Sequence, residues 1–191
     1  TTDSQWSPVL EGAEAALELH LTAGHEPHQF TLELTGLSHL KVAPGNFADH
    51  QKVLQIGDSE SCNIDIACEG GGNPALLAAA KATAKMVFTD AGKSYLCTGT
   101  LLNANPVGNY LYTAAHCISS QATAATLNTY WFFDAVACNS LAVPAYQLVT
   151  GGANLLVTDT TLDGTLLQLR DSPPVGAVRA AWNATVFNTG S

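Results

Sequence analysis

Apolar and polar residues alternate in short runs along much of this chain, which is the pattern of half-buried β-strands. Near the amino terminus, two such runs lie at residues 15–21 and 30–34, with turn-forming residues between them at 23–28. These runs predict a small β-rich segment over residues 1–56, which is too short to guarantee independent folding.

Beyond Cys62 the apolar runs recur at even spacing, with Gly, Pro, Asn and Asp between them. They predict strands at residues 85–89, 95–102, 109–115, 129–134, 145–150, 153–158, 164–169 and 177–182. The exception is residues 74–81, whose high helix propensity predicts one short helix. Short, evenly spaced strands with such turns favour an all-β fold, as a closed or nearly closed antiparallel barrel.

Composition narrows the class of protein. With 191 residues, of which 47% are apolar, the chain has room for one large domain or two small ones with a proper core. The net charge of −9 argues against binding to nucleic-acid phosphates. No apolar run reaches the roughly 20 residues that a membrane span needs, so no membrane partner is expected.

Five cysteines are present, and none forms a C-x-x-C pair, which argues against structural zinc. Their spacing fits an oxidised, exported domain with two internal disulfides. The odd number leaves one thiol over, which suggests a partner cysteine outside this chain.

His116 and Asp163 are the candidate catalytic residues. His116 lies in the run at residues 113–117 beside a cysteine, and Asp163 opens an apolar strand. A serine protease needs a base to take the nucleophile's proton and a carboxylate to orient that base. The non-catalytic alternatives are that His116 is a buried histidine of the barrel and Asp163 a turn or strand-end aspartate. Asp159 is an alternative candidate for the carboxylate. A nucleophilic serine in a Gly-rich turn after Asp163 is missing.

Several other residues are weaker candidates for a functional site. Residues 57–60 lack the second glycine of a nucleophile turn and precede His116, whereas Ser172 is followed by two prolines and Ser191 is the last residue. Three histidines are expected in solvated loops and not at a metal site: His20, His25 and His28. Three aromatic residues are expected in the core: Trp131, Phe132 and Phe133.

Five blocks of sequence, taken together, resemble the bacterial lysyl endopeptidases, which are secreted serine endopeptidases of the chymotrypsin fold. The blocks are residues 61–68, 97–103, 113–117, 130–132 and 163–169. The similarity covers roughly residues 57–185. It implies that residues 57–191 form the first of two six-stranded Greek-key barrels and that residues 1–56 are the end of a propeptide.

The resemblance also implies roles for single residues. His116 would be the general base and Asp163 the carboxylate that orients it. Cys97 would pair with Cys117, and Cys68 with Cys138. Cys62 would be unpaired within the chain and would bridge to the second barrel, which explains the odd number of cysteines.

The function expected on this basis is that of the amino-terminal part of a secreted, trypsin-like serine endopeptidase, retaining zymogen residues. Its partners would be a polypeptide substrate and a carboxyl-terminal half that carries the serine, and no cofactor or metal is expected. This chain alone is expected to be inactive. The alternative is a non-catalytic binding or inhibitory module that kept the barrel and lost the nucleophile.

Overall fold

A computed structural model of the chain describes residues 6–10, 12–40, 64–69, 72–138, 140 and 145–185. The strands are β1 (Thr83–Asp90), β2 (Lys93–Leu101), β3 (Tyr110–Thr113), β4 (Asn128–Trp131), β5 (Gln147–Val149), β6 (Ala153–Asp159) and β7 (Gly164–Leu169). The helices are α1 (Ile66–Glu69), α2 (Pro74–Ala80) and α3 (Gln121–Ala124), with a 3-10 turn at Pro27–Gln29. Among these described residues, no helix is long and apolar enough to cross a membrane.

The seven described strands form one antiparallel sheet in the order β5-β4-β1-β2-β3-β7-β6. The prediction of an all-β fold built from antiparallel strands is therefore confirmed. The sheet is open, because the outer strands β5 and β6 do not pair with each other in the part of the chain that the structure describes. Closure into a six-stranded barrel stays a prediction.

Helix α3 bridges strands that lie far apart in this sheet. The Gln121 side chain donates to the Ala153 carbonyl at 3.0 Å and accepts from the Leu155 amide at 2.8 Å, both on β6. At the other end of the helix, Thr123 Oγ1 donates to Asp90 Oδ1 of β1 at 2.7 Å. These side-chain bonds tie α3 to both β6 and β1, two strands that do not pair with each other in the part of the chain that the structure describes.

The predicted elements overlap the observed ones for each of the seven strands and for helix α2. The predicted strand at residues 177–182 is wrong. This stretch makes one isolated parallel bridge, between Leu102 and Ala180, through two backbone bonds of 2.8 and 2.9 Å. Strand β2 ends at Leu101, so the later stretch forms a β-bridge at Ala180 but no continuous ladder among the described residues.

The predicted β-rich amino-terminal segment is also wrong within the residues described. Residues 12–40 contain the 3-10 turn and no strand. Leu17 and Leu34 are 68% and 78% exposed, so the apolar side of each alternating run faces solvent. Alternation favours a strand only where a partner strand and a core are available, and the described part of the chain supplies neither to these residues.

The core lies under the centre of the sheet. Its largest fully buried side chains are Trp131, Met86, Leu101, Leu111, Ile118, Leu127 and Leu167. Gly99 of β2 is required here, because an added Cβ would lie 2.8 Å from both Leu111 Cδ2 and Met86 Sδ. The glycine in the sequence of β2 is therefore explained by close packing.

Two disulfides cross-link the described chain, one between α1 and the loop after β4 and one between β2 and the loop after β3. Cys68 of α1 bonds Cys138, and Cys97 of β2 bonds Cys117 in the loop after β3, which are the pairs that the family resemblance implies. Because they close loops of 70 and 20 residues, the chain-entropy model gives them about 4 and 3 kcal/mol respectively. Cys62 lies outside the described residues.

Candidate active site

Strand pairing brings the two predicted catalytic residues to the same edge of the sheet. Strand β3 runs antiparallel to β7, with Thr113 paired to Thr165. The chain therefore leaves β3 at the point where it enters β7. His116 follows three residues after Thr113, and Asp163 precedes Thr165 by two, so both lie just beyond this paired end.

Asp163 holds His116 at two points. His116 Nδ1 lies 2.7 Å from Asp163 Oδ2, and the His116 backbone amide donates to Asp163 Oδ1 at 2.9 Å. Asp163 has a φ of 49°, in the left-handed region that Asp tolerates better than most residues. The two bonds fix both the position of the histidine backbone and the plane of its ring.

The electrostatics favour an ionised carboxylate. The hydrogen bond from the His116 amide, and after it the bond to the ring, lowers the pKa of Asp163 below its ordinary value. An ionised carboxylate only accepts hydrogen bonds, so the proton shared in this bond is carried by His116 Nδ1. The neutral ring then keeps Nε2 as its acceptor, which is the tautomer that a general base needs.

The histidine loop is anchored on both sides of His116. Ala115 and Ile118 are 3% and 0% exposed, and the Ile118 carbonyl accepts a 2.8 Å bond from Thr165 Oγ1 of β7. Cys117 is tied to β2 by its disulfide with Cys97. The cysteine sulfurs lie within 4.8 Å of a His116 ring nitrogen, but as a disulfide they offer no thiolate to a metal.

Asp159, the alternative candidate for the carboxylate that orients His116, lies in a turn and makes hydrogen bonds there. Its Oδ1 accepts from the backbone amides of Thr161 and Leu162, at 2.8 and 3.1 Å, in the turn between β6 and β7. This carboxylate shapes the turn that delivers Asp163. Of the two aspartates, Asp163 is the one that contacts the histidine.

The other residues considered from the sequence do not join this pair. Ser172 lies in an exposed loop, and Trp131 is fully buried as expected. The loop histidines His20 and His25 contact Glu18 and Thr22 respectively. Among the described residues, these histidines form no cluster able to hold a metal. Residues 57–60 and Ser191 lie outside the described part of the chain.

A second polar region was not predicted. A cleft of about 380 Å³, which we call the Lys85 cleft, is lined by Ile66, Leu76, Ala79, Ala80, Thr83, Lys85, Thr98, Phe133 and Asp134. Lys85 Nζ lies 4.2 Å from the centre of the Phe133 ring, and burial lowers the pKa of Lys85 to about 8. The available signal was a lysine within the otherwise apolar centre of β1.

The cleft also perturbs a carboxyl group. Burial, and after it the charge of Asp65, raises the pKa of Asp134 above its ordinary value. Phe133, which lines the cleft, also contacts the rings of Tyr130 and Tyr146, at centroid distances of 6.3 and 5.5 Å. Phe133 therefore packs partly on a charged group and not wholly in the core.

Comparison with known proteins gives a consistent result. Residues 56–191 match the family model described as lysyl endopeptidase, C-terminal domain, and residues 1–41 match the lysyl endopeptidase N-terminal domain. A curated lysyl endopeptidase from Pseudomonas aeruginosa is 40% identical over 196 residues, which cover 97% of this chain. The match spans 41% of the length of that relative.

Proposed function

This chain belongs to the lysyl endopeptidase family, and we propose that it forms the amino-terminal part of a secreted serine endopeptidase that hydrolyses peptide bonds. The observation that carries this proposal is the pair of hydrogen bonds, 2.7 and 2.9 Å long, by which Asp163 holds His116. A histidine oriented by a carboxylate is the arrangement that activates a serine hydroxyl in acyl transfer.

His116 is the general base in this mechanism. Its Nε2 takes the proton of the serine hydroxyl as the serine oxygen attacks the substrate carbonyl, and later gives that proton to the leaving amine. Asp163 stabilises the imidazolium that forms in between. Water then hydrolyses the acyl-enzyme with His116 again acting as base. This chemistry uses protein side chains and substrate, with no cofactor in any step.

The nucleophile, the oxyanion-hole amides and the specificity pocket lie outside residues 1–191 in this proposal. The side chains of His116 and Asp163 are 71% and 51% exposed, which supports a second structural unit that covers them. Electrostatic stabilisation of a transition state is stronger where water is excluded. The pair as it stands supplies half of a catalytic centre.

The proposed architecture follows the same logic. Residues 57–191 form the first six-stranded Greek-key barrel of a chymotrypsin-like protease, closed on the side where α3 bridges β1 and β6. Residues 1–56 are propeptide-derived, and Cys62 links this barrel to the second one. Non-reducing peptide mapping of the full-length protein tests the link, and a Cys62 thiol found free there contradicts it.

Cleavage after lysine is proposed from the family, with a polypeptide as substrate. The test uses the full-length protein and a peptide that contains one lysine and one arginine, with products identified by mass spectrometry. We expect cleavage after the lysine, and a loss of at least about 10³-fold in rate for His116→Ala. Equal activity of the variant contradicts the role of His116. Binding of the peptide without cleavage by the wild type would favour a non-catalytic module.

A further inference from the structure

The chain contains five lysines. The described ones differ in how accessible the peptide bond after the lysine is to a protease. This difference matters if lysine-cutting enzymes act on the chain, as the proposed function implies for its own family. Lys41 and Lys52 lie outside the described residues. The remaining three are Lys81, Lys85 and Lys93.

Two of these lysines are followed by well-protected bonds. The Lys81 carbonyl accepts from the Val178 amide at 3.1 Å, and the next residue, Ala82, is 1% exposed. Lys85 is paired on both sides, with Thr98 of β2 and Tyr130 of β4. A protease must draw an extended substrate segment into its cleft, so cutting at either position requires disruption of the sheet.

Lys93 lies in a different setting. It is exposed and opens β2 directly after a two-residue turn in which Ala91 and Gly92 have φ values of 46° and 77°. Strand β2 pairs with β3 only at Thr100 and Leu101. Among the described strands, residues 93–99 therefore have a neighbour on one side only. Exposed hairpin tips and free strand edges are where proteases bind and nick.

The residue after Lys93 is covered by a contact with the amino-terminal part of the chain, in addition to the 3.3 Å approach of its Oγ to Thr89 Oγ1 of β1. Ser94 Oγ lies 2.7 Å from Ser38 Oγ, in the segment of residues 12–40 that we call the amino-terminal segment. Ser94 is half-buried, and Ser38 is half-buried in a stretch whose residues are mostly exposed. Residues 1–40 contain no lysine, so a lysine-cutting enzyme leaves this cover itself intact.

We propose that the Lys93–Ser94 bond is a regulated nicking site for lysine-specific endopeptidases, shielded by the contact of Ser38 with Ser94. Water adds across the amide bond, which leaves a carboxylate on Lys93 and an ammonium group on Ser94. The identity of the enzyme that would cut this bond in nature rests on the proposed function. Release of the amino-terminal segment would expose the bond.

The nicked form stays covalently joined. Cys68 lies before the cut and Cys138 after it, so their disulfide spans the nick. His116 and Asp163 both lie after the cut, together with the Cys97–Cys117 disulfide. The product is therefore a two-chain form in which the candidate catalytic pair remains on one polypeptide.

The first experiment treats full-length His116→Ala protein with a small amount of a separately purified lysine-specific endopeptidase. We expect a new amino terminus at Ser94 before any at Ala82 or Met86. The Lys93 cut should separate its two fragments on a reducing gel and leave them joined on a non-reducing one. Lys93→Arg should remove this product, whereas the matched Lys81→Arg should keep it. A first cut within the sheet after Lys81 or Lys85 overturns the proposal.

The second experiment isolates the shield. In a Lys41→Arg, Lys52→Arg background the amino-terminal segment stays attached, and Ser38→Ala should speed the cut after Lys93 by about three- to tenfold, as expected for loss of one partly buried hydrogen bond. Ser7→Ala is the control, because the hydrogen bond that the Ser7 hydroxyl makes in the described part of the chain goes to the carbonyl of its neighbour Pro8. An unchanged rate for Ser38→Ala overturns the shielding.

Because the protease is added from outside, these outcomes do not depend on the activity of the protein itself. Failure of the proposed function would be seen separately, as a full-length wild-type protein that does not cut a lysine peptide.

Discussion

The His116–Asp163 pair and the Lys85 cleft are opposite kinds of polar region. The pair is exposed, sits on loops at a sheet edge, and makes two direct hydrogen bonds between its members. Lys85 is half-buried in the middle of a strand, beside an aromatic ring, with its pKa lowered by burial to about 8. Burial and a perturbed pKa would favour the cleft as the functional site. Mutual geometry favours the pair, since catalysis needs groups that act on each other.

The largest effect should come from the carboxylate of the pair. Asp163→Asn in the full-length protein should lower kcat by about 10⁴-fold, because an amide can donate to Nδ1 and so favour the wrong tautomer. Asp159→Asn is the matched control: its side-chain oxygen can still accept the two amide bonds of the turn, so its activity should stay near that of the wild type. Equal losses in the two variants would remove the distinction between the aspartates.

A second prediction concerns β2, which both regions share. The Thr98 carbonyl accepts from Thr113 Oγ1 at the start of the histidine loop, and Thr98 also lines the Lys85 cleft. Gly99→Ala should lower the free energy of unfolding by about 1–3 kcal/mol, because its Cβ has no space in the core. Gly72→Ala, where nothing lies within 4 Å of the added Cβ, is the control in the same urea titration. Equal stability of both variants would contradict the packing described.

A third prediction separates the cleft from catalysis. Lys85→Met should leave the rate of peptide hydrolysis unchanged. Below pH 8 Lys85 is protonated in both the folded and the unfolded protein, so burial of its charge destabilises the folded state. Between about pH 8 and 10.5 the folded protein loses this proton while the unfolded protein keeps it, so the destabilisation disappears as the pH rises. Wild type should therefore gain about 1–2 kcal/mol of stability relative to Lys85→Met over that range, after allowance for partial exposure.

Urea unfolding of both proteins at neutral and alkaline pH measures this difference. A constant gap between them across the range would show that the Lys85 ammonium is not desolvated. A strong loss of activity in Lys85→Met would give the cleft a part in function.

The smallest effect should be the acid dependence of the pair. The pKa of Asp163 is lowered in the folded state, so its stabilising contribution is present above the ordinary carboxyl pKa and is lost as the pH falls through the lowered value. The melting temperatures of wild type and Asp163→Asn should therefore converge on acidification below about pH 4. A gap that widens on acidification would contradict the assigned direction.

The sequence predicted the candidate pair because its evidence was local. The run at residues 113–117 and the position of Asp163 before an apolar strand were readable, and antiparallel pairing of β3 with β7 then brings the two residues together. The bond from the His116 amide to Asp163 Oδ1 could not be predicted, since no sequence pattern specifies it or the φ of 49° at Asp163.

The rest required long-range contacts that no local pattern encodes. Residues 15–21 and 30–34 alternate like strands, yet they pair with no strand that the structure describes and are mostly exposed. The stretch at 177–182 meets the end of β2 at one position only. Contact of Ser38 with Ser94 joins residues 56 positions apart, which no periodicity predicts.

In the proposed mechanism His116, held by Asp163, activates a serine that lies outside residues 1–191. A fluorophosphonate probe reacts with such activated serines, so the direct measurement is labelling of the full-length protein followed by peptide mapping. We expect one labelled serine beyond residue 191 in the wild type, and loss of that label in His116→Ala. A label within residues 1–191, or an unchanged labelling rate in the variant, would contradict it.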